Sequence, residues 1–384
     1  MNDPFLHEYY SRFSPPPRHD GAPTRIAFVV GSLDISGGTY VILQHALHAR
    51  RHGVDVTLLV EFPTQPGAWH PALTEVPTIP LVEVAERDDL EFDLVIATFW
   101  RTVYQLPGVR SRHYAYLVQS IESRFYLGGS DQDAVALAEL TYTFDLPVIT
   151  IARWIQTYLA LTHGRPGFLV RNGIRKEVYS PVGPKLALDP DRPFRVLLEG
   201  ASDVAMKNIP HSVELARAGG ADEIWLLTPT DVTSVDGVDR VFSKVPVKET
   251  GVIYRSCPLL MKLSLVEGMY GPPLEMFHSG GTVVTNDVTG YHEYVRDGEN
   301  GLVVPTDDDA AVISALRRCK DDPALLASLR AGALRTARRW PDWPTSSEEF
   351  LDLVLTLAHQ PERDHVQTLL AIRGAGLDLG VRTG

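Results

Sequence analysis

The sequence predicts an α/β protein built from parallel sheets with helices on both faces. Residues 25–60 alternate a strand, a glycine-rich turn, a helix and a second strand, and a similar strand–helix–strand unit occupies residues 259–285. Further apolar runs recur between these two units, at residues 94–98, 114–119, 148–152, 195–199, 223–228 and 240–243. At 384 residues, the chain is long enough for two domains of ordinary size.

The first strand–helix–strand unit begins with the strand 25–30, and its helix is predicted over residues 39–52. The turn between them ends in Gly37 and Gly38. It does not match the G-x-G-x-x-G dinucleotide fingerprint, which argues against a nicotinamide or flavin site. Two glycines here let the backbone approach a diphosphate closely, or they supply a positive φ that the loop requires. The residues alone leave both interpretations open.

The second unit has clear helix punctuation between its predicted strands, residues 259–265 and 282–285. Two prolines suit the first turn of the helix because their missing N–H costs nothing there. Two glycines follow the helix and predict its C-terminal cap. The N-terminus of such a helix favours a phosphate, because its N–H groups are free and its dipole is positive.

Two carboxylates accompany this helix: Glu267 lies in its entry loop and Glu275 lies on the helix, with seven residues between them. A carboxylate beside a phosphate site can accept hydrogen bonds from two hydroxyls of a ribose or hexose. Taken singly, each has a simpler interpretation. Glu275 would support the helix N-terminus, and Glu267 would be a solvated loop residue.

Five motifs follow one another within about forty residues of this region. They are Glu267-Gly268, Gly271-Pro272-Pro273-Leu274-Glu275, Gly281-Thr282-Val283-Val284-Thr285, residues 290–293 (GYHE) and residues 297–305 (DGENGLVVP). Together they resemble the retaining, nucleotide-sugar-dependent glycosyltransferases of family 4. That family has the GT-B architecture, in which two Rossmann-like domains face each other across a cleft. Thr282 is a departure, since many relatives have proline there.

The resemblance implies a role for each carboxylate: Glu275 holds the ribose, and Glu267 binds hydroxyls of the donor sugar. It also implies that a Gly-Gly loop lies against the sugar diphosphate, which favours the diphosphate interpretation of Gly37 and Gly38. Further donor contacts are expected from the loop before the helix and from two strand ends near the nucleobase. These are Gly268, Met269, Tyr270, Gly271, Thr228 and Val245.

The loop after the strand 195–199 resembles the diphosphate-binding loop of the family, which carries Gly-Arg and then a lysine six residues later. Lys207 matches that lysine, and we expect it to be catalytic through charge stabilisation. Ala201 stands where the arginine is expected. The second cation is therefore missing or is supplied from elsewhere, and the candidates are Arg153, Arg171 and Lys262.

Residues 116–154 resemble a subgroup of family 4 that includes bacterial rhamnosyltransferases. The matching positions are Gln119, Glu122, Phe125, Gly128-Gly129-Ser130, Ala138-Glu139 and Thr141-Tyr142. This implies a dTDP-linked deoxysugar donor such as dTDP-rhamnose. Many retaining GT-B enzymes have a histidine facing the donor sugar where this chain has Gln119 or Ser120. We expect Gln119 to act there, since an amide can hydrogen-bond a sugar but cannot exchange a proton.

The predicted organisation is an irregular arm over residues 1–24 and a first Rossmann-like domain over 25–180, which would bind the acceptor. A proline-rich linker over 181–193 leads to a second Rossmann-like domain over 194–345, which would bind the nucleotide sugar. Helices over 346–384 are expected to cross back to the first domain. The first of them is predicted to open with a capping box at Ser346–Glu349.

Composition limits the classes of partner. A net charge of −12 argues against nucleic acid or an anionic membrane. No apolar run reaches about 18–20 residues, and no signal pattern is present, so we expect no membrane span and a cytoplasmic location. Cys257 and Cys319 lack metal or disulfide spacing. No cofactor or metal is expected, because residues 131–133 read as a solvated turn or an acceptor-side loop and residues 307–309 as the charged start of a helix.

The predicted activity is retaining glycosyl transfer from a nucleotide sugar to a glycan or small-molecule acceptor. Two alternatives remain open from the sequence. A non-hydrolysing sugar-nucleotide epimerase would share the fold and would consume its substrate without an acceptor. A catalytically silent sugar-nucleotide or glycan-binding partner would bind nucleotide without turnover, and Ala201 and Gln119 favour it.

Overall fold

The computed structural model describes residue 13 and residues 23–33, 36–62, 78–126, 131–191 and 193–378. Most of the predicted arm, and the turn 128–130 quoted above, lie outside the described residues. The chain divides into two compact units, called here the first domain (Met1–Asn172 with Trp343–Gly384) and the second domain (Gly173–Asp342). The sequence had placed these divisions after residues 180 and 345.

The first domain contains, in its described part, a seven-stranded parallel sheet. Its strands are β1 (Arg25–Val30), β2 (Asp55–Val60), β3 (Leu81–Glu83), β4 (Glu91–Ala97), β5 (Arg110–Val118), β6 (Val148–Thr150) and β7 (Phe168–Leu169). Their spatial order is β3-β2-β1-β4-β5-β6-β7. Strand β1 is buried at every position after its first residue. This continuous apolar run is typical of a parallel strand covered on both faces.

Helices connect these strands in the manner of a doubly wound sheet. They are α1 (Gly37–Arg51), α2 (Trp100–Val103), α3 (Gln132–Thr141) and α4 (Arg153–His163). Helix α1 begins two residues earlier than predicted, because the Ser36 side chain accepts a hydrogen bond from the Thr39 amide at 3.1 Å and caps the helix there.

The second domain holds a six-stranded parallel sheet. Its strands are β8 (Arg195–Glu199), β9 (Glu223–Thr228), β10 (Arg240–Ser243), β11 (Leu259–Lys262), β12 (Thr282–Asn286) and β13 (Gly301–Val304), in the order β10-β9-β8-β11-β12-β13. Its helices are α5 (Ile209–Ala218), α6 (Val247–Ser256), α7 (Gly271–His278), α8 (Asp309–Asp321) and α9 (Pro323–Arg339). Along β8, Leu197 enters one apolar cluster while Val196 and Leu198 enter another, so the sheet is covered on both faces.

The proline-rich segment that the sequence placed between the domains packs on the second domain. Leu186 and Leu188 lie against one of its apolar clusters. The Leu186 amide also donates a hydrogen bond to the Ser256 hydroxyl at 2.9 Å. These residues therefore extend the second domain instead of forming a free connection.

The last two helices, α10 (Trp343–Ala358) and α11 (Val366–Asp378), belong to the first domain, which confirms the predicted return of the chain. Phe350 of α10 stacks on Phe28 of β1, with ring centroids 6.1 Å apart. The predicted capping box is wrong, because α10 begins at Trp343. Ser346 therefore lies inside the helix, where its hydroxyl donates to the Arg171 carbonyl.

Candidate functional site

The sheet of the second domain has its topological switch point between β8 and β11. These two strands are neighbours, while the strands that follow them in sequence, β9 and β12, lie on opposite sides. Ligands of open α/β sheets bind beyond the carboxyl ends of the strands at such a point. Glu199 is the last residue of β8 and Lys262 is the last residue of β11, so both lie at this edge.

Four charged side chains form an alternating series at this edge, which we call the charge chain: Glu199, Lys262, Glu267 and Lys207. The Lys262 ammonium donates to Glu199 Oε2 at 2.8 Å and lies 3.7 Å from Glu267 Oε1. The Lys207 ammonium donates to the same Glu267 oxygen at 2.8 Å. The exposed fraction of the side chain is 23% for Glu199, 2% for Lys262, 10% for Glu267 and 29% for Lys207, so the two inner members are buried and the two outer members are partly exposed.

Both inner members of the charge chain are held in their ionised forms. Burial by itself would raise the pKa of the Glu267 carboxyl, but Lys262 and Lys207 outweigh it and the pKa is lowered. Burial would likewise lower the pKa of the Lys262 ammonium, but Glu199 and Glu267 outweigh it and the pKa is raised. Glu267 is therefore a buried carboxylate with its charge intact at neutral pH.

Two loops carry Lys207 and Glu267, and backbone hydrogen bonds hold the loops together. The Leu265 amide donates to the Met206 carbonyl at 2.9 Å. The Thr289 hydroxyl fixes the other side of the entry loop by donating to the Glu267 carbonyl at 3.1 Å. Gly200 turns the first loop with a φ of 145°, and a Cβ there would lie 3.1 Å from the Lys207 Cβ. The sequence motif thus places the lysine against the carboxylate.

Glu275 lies on α7 and is half-buried. Burial raises the pKa of its carboxyl to about 7, with the Glu199 charge adding to the rise and the Tyr254 and Tyr179 hydroxyls opposing it. Sequence reasoning missed both tyrosines, which lie 21 and 96 residues before Glu275 and belong to no motif. The structure therefore gives the two carboxylates of the motif different protonation behaviour near neutral pH.

The N-terminus of α7 offers fewer amide donors than the sequence suggested. The first four residues of the helix include Pro272 and Pro273, which have no N–H. Only Gly271 and Leu274 can therefore present an amide from this first turn. Positive charge to complement a phosphate would therefore come mainly from side chains. Within the charge chain, Lys207 is the partly exposed cation.

Tyr270 was expected among the donor contacts, but its side chain is fully buried. Its hydroxyl donates to the Lys262 carbonyl at 2.7 Å and lies 2.9 Å from the Thr285 hydroxyl, so it supports the end of β11. Its own carbonyl accepts from the Tyr294 hydroxyl. The side chain can therefore affect a ligand only by positioning Lys262. Met269 packs partly against the same core, and Gly268 lies beside it in the half-buried entry loop.

The two residues expected near a nucleobase lie at adjacent strand ends. Thr228 ends β9 and pairs in register with Ser243, the last residue of β10. The Lys244 amide, next to Val245, donates to the Thr228 carbonyl at 2.9 Å. The Thr228 hydroxyl accepts from the Thr230 amide at 3.1 Å and is buried, so its side chain shapes the loop.

In the first domain, the structure brings Gly38 and Gln119 together at the carboxyl edge of the sheet. Gln119 follows β5, and its Nε2 donates to the Gly38 carbonyl at 3.3 Å. Gly37 and Gly38 are the first two residues of α1, so their amides have no partner within the helix. Neither has a positive φ, and a Cβ on Gly37 would meet nothing within 4 Å. The positive-φ interpretation is therefore wrong, and the open space favours close approach of a ligand.

The three candidates for the second diphosphate cation differ in their domain and in their burial. Arg153 and Arg171 belong to the first domain. Lys262 belongs to the same domain as Lys207, but its ammonium donates to the Glu199 carbonyl at 3.0 Å as well as to the carboxylate. Its side chain is almost completely buried. Lys262 can therefore act on a ligand through Glu267, as a positioning residue, and does not replace the arginine at Ala201.

The acidic runs singled out in the sequence lie at helix N-termini. The turn or loop expected at residues 131–133 is wrong, because residues 132 and 133 are the first two of α3. The Asp131 side chain accepts from the Ala134 amide at 2.9 Å and begins α3. The Asp308 side chain accepts from the Ala311 amide at 2.9 Å and begins α8. Each carboxylate compensates a free amide and the positive end of a helix dipole. Separately, no helix in the described residues has the length and apolar character needed to cross a bilayer.

Among known proteins, a family model matches the segment of the second domain that contains this edge. Residues 187–322 match the family model described as glycosyl transferases group 1. The O-antigen biosynthesis protein RfbC of Myxococcus xanthus is 27% identical over 351 residues, which cover 85% of this chain and 26% of that protein. The chain thus spans about a quarter of the length of this curated relative.

Two solved structures share the fold over most of the chain. Sucrose-phosphate synthase from Thermosynechococcus elongatus matches with a TM-score of 0.72 at 17% identity, covering 86% of this chain and 98% of that one. Anabaena HepE, solved in complex with UDP and glucose, matches with a TM-score of 0.67 at 15% identity, covering 86% and 99%. These likenesses confirm the predicted GT-B fold of two Rossmann-like domains.

Proposed function

We propose that this chain, whose residues 187–322 match the group 1 glycosyl transferases, moves a sugar from a nucleoside-diphosphate donor to a glycan or small-molecule acceptor. The matched segment contains the complete charge chain and Glu275. The observation that carries the proposal is this placement of ionised side chains at the switch point of a parallel sheet, where α/β proteins bind their ligands.

Five residues of the second domain have proposed roles in donor binding. Glu275 accepts hydrogen bonds from the two ribose hydroxyls, and its ionised form does so bidentately. Glu267 accepts from hydroxyls of the donor sugar. Lys207 has three N–H donors, one of which Glu267 occupies at 2.8 Å, so the others can reach the diphosphate. Thr228 and Val245 line the expected position of the base.

The chemical step is carried by electrostatic stabilisation. The bond between the anomeric carbon and the β-phosphate oxygen breaks, and the acceptor oxygen attacks from the same face, so that configuration is retained. The departing phosphate oxygen takes the acceptor proton. Negative charge grows on the diphosphate during this step, and the Lys207 ammonium stabilises it. The reaction is proposed to need no metal and no cofactor.

The buried part of the charge chain prepares Glu267 for this role. When Lys207 moves its interaction towards the diphosphate, Lys262 still compensates the Glu267 charge from 3.7 Å. Glu199 in turn compensates Lys262 at 2.8 Å. Glu267 therefore keeps its charge, and remains an acceptor for sugar hydroxyls, without depending on Lys207 alone.

The first domain supplies neutral groups. The free amides of Gly37 and Gly38 are donors to an oxyanion or a sugar oxygen, and Gln119 is a neutral hydrogen-bonding partner. None of these groups can take a proton from an acceptor, which fits a mechanism in which the leaving phosphate is the base. The acceptor-binding role proposed for this domain rests on the resemblance to GT-B glycosyltransferases.

For the donor, we favour a dTDP-linked deoxysugar such as dTDP-rhamnose. The support is the resemblance of residues 116–154 to bacterial rhamnosyltransferases, together with similarity to a protein named for O-antigen biosynthesis. None of the matches described above supports the epimerase alternative. A cytoplasmic location remains the prediction, and the two cysteines, which are free and buried, are compatible with it.

A donor panel tests this proposal. The folded protein is titrated with dTDP-rhamnose, UDP-glucose, UDP-galactose and GDP-mannose by calorimetry, and each donor is then incubated with deoxysugar-containing and glucose-containing acceptors. We expect dTDP-rhamnose to bind most tightly and to yield a glycoside whose anomeric configuration, read by NMR, matches that of the donor. Inverted product overturns retention, isomerised donor without acceptor supports the epimerase, and binding without turnover supports a silent partner.

A further inference from the structure

Two histidines of α1, His45 and His48, lie on the face that packs against α10, and His52, the C-cap residue of α1, continues their helical spacing. His45 is buried at the centre of this contact. Its ring stacks on Phe350 with centroids 4.1 Å apart, and its Nδ1 is hydrogen-bonded to the Ser347 hydroxyl at 3.1 Å. His48 and His52 continue the same face to the solvent-exposed end of α1. There they meet Glu348 of α10.

His48, His52 and Glu348 converge closely. His48 Nε2 lies 2.8 Å from Glu348 Oε2, and the two imidazole centroids are 4.2 Å apart. One ligand atom from each of the three side chains lies within 4.8 Å of the other two. Among the described residues, this is the group of His, Cys, Asp and Glu side chains that meets such a distance.

The orientation of His52 is fixed in a way that suits metal binding. Its Nδ1 donates to the His48 carbonyl at 2.8 Å, because a carbonyl can only accept. In the neutral ring this leaves the lone pair on Nε2. Metal-bound histidines commonly donate their second ring N–H to a carbonyl or carboxylate, which orients the ring and raises its basicity. The hydrogen bond to His48 therefore supplies the supporting contact that a ligand needs.

We propose that His48, His52 and Glu348 bind a late first-row transition-metal ion, with Zn²⁺ as the preferred ion, and that the ion joins α1 to α10. Two imidazoles and one carboxylate are a zinc ligand set, which leaves a fourth position for water. Zinc bonds of about 2.0–2.1 Å require ligand atoms roughly 3.4 Å apart in a tetrahedron. Rotation of the Glu348 side chain can bring its carboxylate to such distances, because Glu348 is exposed.

This site is separate from the donor site, both in position and in role. All three ligands belong to the first domain, and they tie the returning C-terminal helix to the first helix of that domain. An ion that binds only when the two helices are together stabilises the folded state by mass action. The proposed effect is therefore on stability, and no step of glycosyl transfer passes through this ion.

The test is a zinc titration of the full-length, tag-free chain in competition with a chromogenic chelator, followed by thermal unfolding with and without zinc. We expect one equivalent to bind and the melting temperature to rise. His52→Ala and Glu348→Gln should each weaken zinc binding at least tenfold and remove the rise. Using two exposed positions on different helices guards against a folding defect in either variant.

His292→Ala is the matched control, because His292 is an exposed histidine of the second domain outside this group. It should bind zinc and respond to it like the unchanged chain. The proposal is overturned if no equivalent binds at micromolar zinc, or if binding is unchanged in His52→Ala and Glu348→Gln. Equal losses in the His292→Ala control would also overturn it, because they would place the zinc elsewhere.

Discussion

The two domains share one architecture, but the pKa of a buried carboxyl group is raised in one and lowered in the other. In the first domain, Glu122 accepts hydrogen bonds from the Trp100 amide at 2.6 Å and the Tyr116 hydroxyl at 3.0 Å. Burial raises its pKa to about 8, and these two hydrogen bonds offset the rise only in part. In the second domain, Lys262 and Lys207 lower the pKa of the equally enclosed Glu267. One carboxyl is kept neutral near pH 7 and the other is kept charged.

Because the two domains share one architecture, this difference lies in their side chains, and function has to be inferred from such sites rather than from the fold. Burying an ionised group costs several kcal/mol unless it is well paired, so the buried charges of Lys262 and Glu267 lower stability unless their partners compensate them. The second domain nevertheless keeps these two buried charges at the edge where we propose that the nucleotide sugar binds. The first domain presents Gly38 and Gln119 at its corresponding edge, and both are neutral.

The largest effect is expected from substituting Lys207, the partly exposed lysine of the charge chain, which we propose contacts the diphosphate. Lys207→Ala should lower kcat by about 10²–10³, the scale for losing one preorganised charge-stabilising donor, with a smaller change in donor KM. Lys207→Arg should rescue only in part, because the guanidinium is planar and bulkier. Steady-state kinetics measure both constants. Lys248→Ala, at an exposed lysine of the same domain, is the control.

Kinetics can contradict this role of Lys207 in two ways. A raised donor KM with unchanged kcat would mean that Lys207 binds ground state and transition state equally. If neither constant moved, Lys207 would be a partly exposed lysine paired with Glu267, and the contrast between the domains would lose its functional meaning.

The next effect concerns Glu275, which should dominate nucleotide binding. Glu275→Ala should weaken nucleoside-diphosphate affinity by about 10–150-fold, because charge-assisted hydrogen bonds contribute ~1.5–3 kcal/mol. Calorimetry on the folded variant measures this. Glu299→Ala, at an exposed carboxylate of the second domain, should bind like the unchanged chain. Unchanged affinity in Glu275→Ala would remove the ribose role.

Nucleotide binding should also depend on pH through Glu275. Its carboxyl has a pKa raised by burial to about 7, so it is mostly protonated below that pH and mostly ionised above it. Since the ionised form accepts both ribose hydroxyls, affinity should rise with pH. At pH 6 about one tenth of the protein is competent, and the dissociation constant should be about tenfold above its plateau. Calorimetry between pH 6 and 8 tests this, and a curve unaffected by Glu275→Gln would refute the assignment.

In the first domain, a smaller effect is expected because the group at stake is neutral. Gln119→Ala should lower kcat/KM by about 2–10-fold, the equivalent of one neutral hydrogen bond of ~0.5–1.5 kcal/mol. The pH profile should keep its shape, since an amide does not titrate. A loss as large as that of Lys207→Ala, or an altered pH profile, would show that the first domain contributes more to the chemistry than its neutral edge suggests.

Chelation should have no effect on turnover. Glycosyl transfer is proposed to rely on Lys207 and backbone amides, and the aspartates at residues 131 and 308 are engaged as helix caps. EDTA is expected to leave kcat unchanged, while it lowers the melting temperature of zinc-loaded protein through the site at His48, His52 and Glu348. Loss of turnover that manganese or magnesium restores would contradict the mechanism.

The sequence by itself determined the features that depend on neighbouring residues. The strands Arg195–Glu199, Glu223–Thr228 and Arg240–Ser243 lie where the apolar runs predicted them. Helix α7 has its two prolines in its first turn and ends before its two glycines, because these residues act on the backbone locally. The ordered motifs around Glu267 and Glu275 were also readable, and they were sufficient to predict the GT-B fold.

Only the tertiary structure decided which charges meet. Lys262 and Glu199 are 63 residues apart, and their contact exists because β8 and β11 are neighbours in the sheet. Tyr254 and Tyr179 were missed beside Glu275 because they are also distant from it in the sequence. The hydrogen bond from Ser346 to Arg171 joins residues 175 positions apart, so no local pattern could indicate it. Local patterns specify elements, but the protonation of a buried group depends on every element packed around it.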